Sequence, residues 1–377
     1  MNINKTKIAI VANSAWNIYN FRLGLVRALM EKGFQVVAIA PPSELAVEIK
    51  AVGCQFIEIG QLTRKGKNPI KDITLLLEFA KVFRKEEIDV VLQYTIKPVI
   101  FGTLAAVLSK TKTINTITGL GYSFARTGIM NSIVKWLYRI SLLNADKVFF
   151  QNQDDLNLFL KNKIVLRSKT GIVDGSGIDT DRFVPTSQRI ESNFFNVLFV
   201  GRFLKDKGIK ELIDAGRIIN EKFTNVIFNL VGDIDPDNPA SVSRSEIKKW
   251  IGYPWVSFHG IVNDTRPYIA NSDVVVLPSY REGIPRSLLE AMSMAKPIIT
   301  TDVPGCREIV QDGKNGFLIP AKNVTLLLEA LIKMINLGSS KRLNMGALGR
   351  EMVLERFEEK LIVQKYMDTI GSLLANS

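Results

Sequence analysis

The chain is predicted to fold as two doubly wound, Rossmann-like α/β domains facing a central cleft. Its 377 residues exceed what one hydrophobic core ordinarily holds. Short β-branched runs alternate with longer stretches of helical apolar spacing, the pattern of parallel strands joined by crossover helices. The alternation halts once, at the polar stretch Pro185–Asn193, and then restarts.

In the first half the expected strands are Lys7–Ala12, Phe34–Ala40, Gln55–Ile59, Asp89–Gln93, Thr113–Thr118 and Lys147–Gln151. Between them lie apolar residues at helical spacing, such as Leu75, Leu76, Phe79, Val82 and Phe83. In the second half the strands are Phe195–Val200, Val226–Val231, Val256–His259, Val274–Pro278, Pro297–Thr301 and Phe317–Ile319. Helical tail segments follow at about Ser339–Arg356 and Glu358–Leu374. The expected division is therefore 1–187, 188–356, and a terminal helix, 357–377, packing back toward the first domain. Open parallel sheets bind ligands outside the carboxyl ends of their strands, so each wall of the cleft would present strand ends.

Composition is that of a globular protein, with 46% apolar and 23% charged residues. No run approaches the roughly eighteen apolar residues of a spanning helix, so none is expected. The polar start Met1–Lys7 leads directly into a strand and does not read as a secretory signal. Cys54 and Cys306 are far apart in sequence and lack metal-type neighbours. A reducing cytoplasm is the expected compartment. The net charge of +12 is one-sided: residues 1–190 hold 26 Lys and Arg against 15 Asp and Glu, and residues 191–377 hold 23 against 22. Such a basic half suits nucleic acid, an anionic membrane face or a phosphorylated substrate, although a solvated lysine-rich surface would look the same. No stacking motif or zinc spacing accompanies the charge, which argues against nucleic acid.

Two segments carry the chemistry. In Glu282-Gly283-Ile284-Pro285-Arg286-Ser287-Leu288-Leu289-Glu290, Pro285 suits the first turn of a helix and Gly283 permits a tight approach. A helix starting at a strand's carboxyl end offers N–H groups and a positive dipole to an anion such as a diphosphate. Glu290 would then accept from ribose hydroxyls, and Glu282, at the mouth, would meet sugar hydroxyls or developing positive charge. A plain helix start rich in acidic residues would look alike. In Gly201-Arg202-Phe203-Leu204-Lys205-Asp206-Lys207-Gly208, Arg202 and Lys207 stand at another strand end, where one can grip two phosphate oxygens and the other adds a mobile charge. Two surface cations in a loop are the alternative, but two loops suited to one diphosphate make coincidence a poorer account.

These residues, with Val303-Pro304-Gly305-Cys306-Arg307-Glu308, Asp312-Gly313, Asn315-Gly316 and Gly177-Ile178-Asp179-Thr180-Asp181-Arg182-Phe183, resemble the retaining family-4 glycosyltransferases of GT-B fold. The family's pair of Glu residues separated by seven others is matched by Glu282 and Glu290. The resemblance implies that Arg202 and Lys207 hold the diphosphate of a nucleotide-sugar donor, UDP-linked, that Glu290 holds its ribose and that Glu282 contacts the transferred sugar, with Gly201, Gly283, Ile284, Pro285, Arg286, Ser287 and Leu288 completing the donor site. It also implies that backbone near Gly260, Ile261 and Val262 receives the base, and that no metal or other cofactor is needed. Glu282, Arg202 and Lys207 become the catalytic set. The first half is similar to bacterial enzymes that extend undecaprenyl-diphosphate-linked sugars or build surface polysaccharide. That likeness rests on Trp16-Asn17-Ile18-Tyr19-Asn20-Phe21-Arg22 and Thr118-Gly119-Leu120-Gly121-Tyr122. It implies an acceptor site with Asn17, Tyr19, Arg22, Gly119, Gly121 and Tyr122, a lipid-diphosphate-linked or glycan acceptor, and a peripheral position on the anionic inner face of the cell membrane. A sugar-nucleotide epimerase or hydrolase, or a noncatalytic membrane adaptor, are the competing functions on this fold.

The chain departs from that pattern in places. Asn13-Ser14-Ala15-Trp16 stands where relatives have a glycine pair, Ile284 where Phe is common, and Ala295 where Gly is common. The only histidine, His259, ends a strand of the second half and is expected to be packed near the nucleotide rather than catalytic. Gly119-Leu-Gly121 and Gly175-Ser-Gly177 lack the full dinucleotide fingerprint, which argues against a nicotinamide enzyme. Asp233-Ile234-Asp235-Pro236-Asp237 lacks the Gly and distal Glu of a calcium loop and reads as a polar loop. Ile129, Met130, Ile133, Val134, Trp136, Leu137 and Ile140 form an apolar stripe flanked by Arg126, Lys135 and Arg139. That pattern suits either a sheet-covering helix or one lying on an anionic membrane. Arg64-Lys65-Gly66-Lys67 is a second basic candidate.

Overall fold

The computed structural model describes residues 5–62, 68–120, 129–186, 192–236 and 238–375. They form two compact units: residues 1–176 with 359–377, and residues 177–358.

The first unit holds a seven-stranded, all-parallel sheet in the order β3-β2-β1-β4-β5-β6-β7. Its strands are β1 (Lys7–Val11), β2 (Gln35–Ala40), β3 (Gln55–Glu58), β4 (Val90–Tyr94), β5 (Lys112–Ile117), β6 (Lys147–Phe150) and β7 (Thr170–Ile172). Ile8, Ala9 and Ile10 in β1 are all sealed from solvent, because helices cover both faces of the sheet. Those helices are α1 (Ala15–Glu31), α2 (Ala46–Ala51), α3 (Pro69–Lys85), α4 (Thr103–Ser109), α5 (Ile129–Leu143) and α6 (Gln153–Lys161). A π-turn, Pro98–Gly102, runs into α4. Asn68 caps α3 by accepting from the Ile70 N–H, with Pro69 preset for the first turn. Strand β7 was not expected: it is three residues long, contains a glycine and lies half-buried at the sheet edge, so it has no periodicity to read.

The second unit repeats the plan with six parallel strands in the order β10-β9-β8-β11-β12-β13. They are β8 (Phe195–Val200), β9 (Val226–Val231), β10 (Val256–Gly260), β11 (Val274–Leu277), β12 (Ile298–Thr301) and β13 (Gly316–Ile319). Its helices are α7 (Ile209–Lys222), α8 (Arg244–Ile251), α9 (Arg266–Asn271), α10 (Arg286–Ser293), α11 (Val324–Asn336) and α12 (Ser339–Met352). Strand order reverses between β1 and β4 in the first sheet and between β8 and β11 in the second. Such reversals open a crevice at the strand carboxyl ends.

The last helix, α13 (Glu359–Ala375), belongs to the first unit. It lies along α1, where a Cβ on Gly24 would sit 2.1 Å from the Glu359 carboxylate. Tyr366 is buried, its ring 5.4 Å from Phe149 and 6.3 Å from Tyr94, and its hydroxyl is 2.6 Å from Thr116 Oγ1.

Candidate active site

At the reversal in the second sheet, the loop after β8 carries Arg202 and Lys207, and the loop after β11 carries Glu282. Both loops are anchored by apolar residues. Phe203 is buried, edge-on to Phe199 and Phe258 at 5.9 and 5.7 Å, and its N–H donates to the Asp233 carbonyl at 2.9 Å. Gly201 donates to the Val231 carbonyl at 3.0 Å. The turn Lys205–Lys207 then enters α7 through Gly208, at φ +69, where a Cβ would lie 2.0 Å from the Pro278 carbonyl oxygen. Only glycine fits that crossing.

Arg202 Nη1 pairs with Asp235 Oδ2 at 2.7 Å. The Arg202 side chain is half exposed while Asp235 is nearly buried, so the guanidinium is aimed from a fixed base. Asp235 sits in the polar loop after β9, and its backbone N–H donates to Ser241 Oγ at 3.0 Å. Sequence reading missed this partner. The signal was available, since β9 neighbours β8 and an acidic strand-end loop beside a strand-end arginine supplies a counter-charge.

Lys207 Nζ pairs with Glu282 Oε1, which also accepts from Ser279 Oγ at 2.6 Å. Glu282 donates its N–H to the Pro304 carbonyl at 3.2 Å, and Thr301 Oγ1 donates to the Ser279 carbonyl. Gly305, at φ +82, lies so close that a Cβ there would be 1.8 Å from the Gly283 oxygen. The Glu282 loop is thus held by β8's loop, by β12 and by the Val303–Glu308 block. Asp206 lies beside the pair. Burial pushes its carboxyl up, Lys207 opposes the shift and Glu282 adds to it. Tyr280 ties the two loops again: its N–H donates to the Asp206 carbonyl at 2.8 Å and its hydroxyl donates to Glu211 on α7.

Helix α10 begins one residue after Pro285, which sits at φ −74. The first N–H groups of any helix have no partner within the helix, so Arg286 and Ser287 open it with an anion-favouring end. Leu288 and Leu289 are core residues; Leu288, expected at the donor, offers no side-chain surface there. Ile284 packs against the same core. Glu290 accepts from Arg286 Nε at 3.2 Å and from Thr265 Oγ1 at 3.2 Å. Burial pushes its carboxyl up, and Arg286 and Thr265 counter the shift. Gly260, at φ +67, ends β10 and accepts from the Gly232 N–H at 2.8 Å, while Ile261 beside it is 81% exposed. His259 packs 4.7 Å from the Tyr268 ring, and its Nε2 is 2.9 Å from Asn229 Oδ1. Burial lowers its pKa. Arg202, Lys207, Glu282 and Gly260 follow or end strands at the carboxyl edge of one sheet.

In the first unit, Ser14 caps α1 by accepting from the Asn17 N–H at 3.3 Å. Asn13, after β1, donates its N–H to Thr95 Oγ1, after β4, at 3.3 Å, so both sides of the first reversal are tied. Tyr19 is exposed. Arg22 is buried, its guanidinium 3.9 Å from the centre of the Tyr94 ring, so its expected reach to an acceptor begins from beneath the surface. Gly119 has a left-handed φ of +110. Gly121, Tyr122, Arg126 and the segment 64–67 lie outside the described residues, as does Asp237. Among the described residues, no group of three or more His, Cys, Asp or Glu side chains is placed to hold a metal ion. No helix among them is long and apolar enough to cross a membrane.

Two parallel-sheet, Rossmann-like units are the GT-B architecture, and comparison with known proteins agrees with that fold. Residues 195–336 match the family model "Glycosyl transferases group 1", and residues 7–152 match "Glycosyl transferase 4-like". The chain is a glycosyltransferase. It is 26% identical to the N,N'-diacetylbacillosaminyl-diphospho-undecaprenol alpha-1,3-N-acetylgalactosaminyltransferase of Campylobacter jejuni, covering 98% of this chain and 100% of that one. It is 25% identical to the UDP-Gal:alpha-D-GlcNAc-diphosphoundecaprenol alpha-1,3-galactosyltransferase of Escherichia coli, covering 81% of each. A glycosyltransferase crystal structure from Rickettsia africae shares the fold, with a TM-score of 0.83 at 20% identity over 99% of this chain and 100% of that one.

Proposed function

We propose that this glycosyltransferase moves a hexose or N-acetylhexosamine from a UDP-sugar to a lipid-diphosphate-linked or polysaccharide acceptor in bacterial glycan assembly, with retention and without a metal. It would work at the inner face of the cell membrane. Residues 188–356 would bind the donor, residues 1–187 the acceptor, and 357–377 would complete the first domain. The reading rests on one observation above others: Arg202, Lys207, Glu282 and the start of α10 share one strand-end edge, around a reversal of strand order. The printed activities of the Campylobacter and Escherichia relatives supply the substrate class.

On this reading the donor diphosphate meets two cations and a helix N-terminus, which stabilise charge as the bond from anomeric carbon to phosphate oxygen breaks. Arg202 leaves Asp235, and Lys207 turns from Glu282, to reach the phosphates. Glu282, so released, faces the sugar, and Glu290 receives ribose hydroxyls. The acceptor oxygen bonds to the anomeric carbon on the face the phosphate leaves, and the departing phosphate takes the acceptor proton. A donor screen read by nucleotide release, with and without an undecaprenyl-diphosphate-linked sugar, tests the proposal. Release that requires the acceptor is expected. Equal release without it would make the chain an epimerase or hydrolase, and no release with any donor would defeat the donor site.

A further inference from the structure

From Val90 to Ala145 the sequence contains six Lys or Arg and no Asp or Glu. This stretch supplies the π-turn, α4 and α5, and α3 packs beside them on the same side of the first sheet. Each of the two long helices presents two apolar faces. On α3, Leu75, Phe79 and Phe83 seal the core, while Ile70, Ile73 and Leu77 point outward and are more than half exposed. On α5, Tyr138 and Leu142 are buried, while Ile133, Trp136 and Leu143 are exposed. Both outward sets recur three, four or seven residues apart, one stripe along each helix. Val107 and Leu108 on α4 add exposed apolar surface to the group. A soluble helix needs only the inward face, and a contiguous outward one marks an interaction surface.

The charges identify the occupant. Lys71, Lys110 and Arg139 are exposed around the stripes, with Lys135 between Ile133 and Trp136 in sequence. The acidic groups of α3 have cations beside them: Asp72 pairs with Lys97 at 2.9 Å, and the charge of Lys81 acts on Glu78. Apolar stripes carrying a tryptophan, ringed by cations and free of uncompensated acids, match the boundary between anionic headgroups and acyl chains. We propose that the outward face of α3, α4 and α5 is a membrane-insertion surface, on which Ile73, Leu77, Ile133 and Trp136 enter the headgroup–acyl boundary while the flanking cations meet lipid phosphates. It rests on the reading of the first unit as the lipid-acceptor side, and it names the face that touches the bilayer.

The test uses the full chain with vesicles of phosphatidylcholine containing phosphatidylglycerol, with or without bromine on the acyl chains. Brominated lipid is expected to quench tryptophan emission, and Trp136→Phe to remove most of that quenching. The double change Ile73→Ser, Leu77→Ser is expected to weaken vesicle binding by roughly tenfold or more, as loss of two buried aliphatic groups implies. UDP binding by calorimetry should stay at the wild-type value in both variants, since neither touches the donor site. Four results would overturn the surface: no vesicle binding by the wild type, binding unmoved by the double change, quenching unmoved by Trp136→Phe, or a dimer in sedimentation that the double change dissolves. Wild-type chain that binds vesicles as described yet releases nucleotide from no donor would instead sink the proposed function and leave the surface standing.

Discussion

Lys207 and Glu282 reach each other from loops at the carboxyl ends of neighbouring strands, β8 and β11, and pair side chain to side chain. The pair keeps a cation and a carboxylate, both largely shielded from solvent, in one place. Glu282→Gln keeps the shape and removes the charge. Transfer is expected to fall by about 100-fold or more, the scale of losing one electrostatic stabiliser of a transition state. Donor affinity should change only a few-fold, because on the proposed reading the group acts on the reacting sugar. Steady-state transfer measured beside UDP-sugar calorimetry checks this, and wild-type transfer would end the assigned role.

Arg202 is held by Asp235. A diphosphate must compete with that carboxylate. Arg202→Ala is expected to weaken UDP binding by roughly 10-fold or more, the value of a charge-assisted contact. Asp235→Asn should do the opposite and tighten UDP several-fold, since it spares the hydrogen-bond geometry and deletes the competing charge. Looser binding in Asp235→Asn would show that the aspartate serves to aim the arginine rather than to compete with the phosphates.

Asp206 makes a pH prediction. Burial raises its carboxyl above the ordinary value, so the folded protein holds this proton more tightly than the unfolded chain. Its contribution to stability is full below the unfolded value near 3.8 and is lost as pH rises through the folded value. Asp206→Asn removes that loss. The melting temperature of the variant should therefore gain on wild type between pH 4 and pH 8, with little difference at the acid end. A constant offset across the range would contradict the assigned cause.

Ala295 sits at φ +54 just after α10. A Cβ in left-handed backbone costs about 1–2 kcal/mol, and glycine escapes that cost at the expense of unfolded-state entropy. Ala295→Gly is thus expected to stabilise the protein by up to about 1 kcal/mol. A urea midpoint that does not rise would disprove it.

The parallel sheets were legible because strands buried on both faces leave uninterrupted apolar runs, as in Ile8–Val11 and Val274–Leu277. The loops bearing Arg202, Lys207 and Glu282 were legible because glycines and prolines punctuate them. Partners were harder to see. Asp235 answers Arg202 across 33 residues and Ser279 answers Glu282 through a turn, and neither spacing repeats. The stripe on α5 was ambiguous in sequence because its residues divide: Val134 and Leu137 pack against the core, and Ile133 and Trp136 face out. Ile70, Ile73 and Leu77 were overlooked because the inward residues of α3 already satisfied the helical pattern.

Tyr366 has a consequence for how the protein is made. The ring fills a socket between Tyr94 and Phe149, and its hydroxyl meets Thr116, 250 residues earlier in the chain. A ribosome delivers the seven strands of the first sheet, then the entire second unit, and only afterwards the helix that plugs the first. Through that interval Tyr94 and Phe149 wait as an open aromatic hollow.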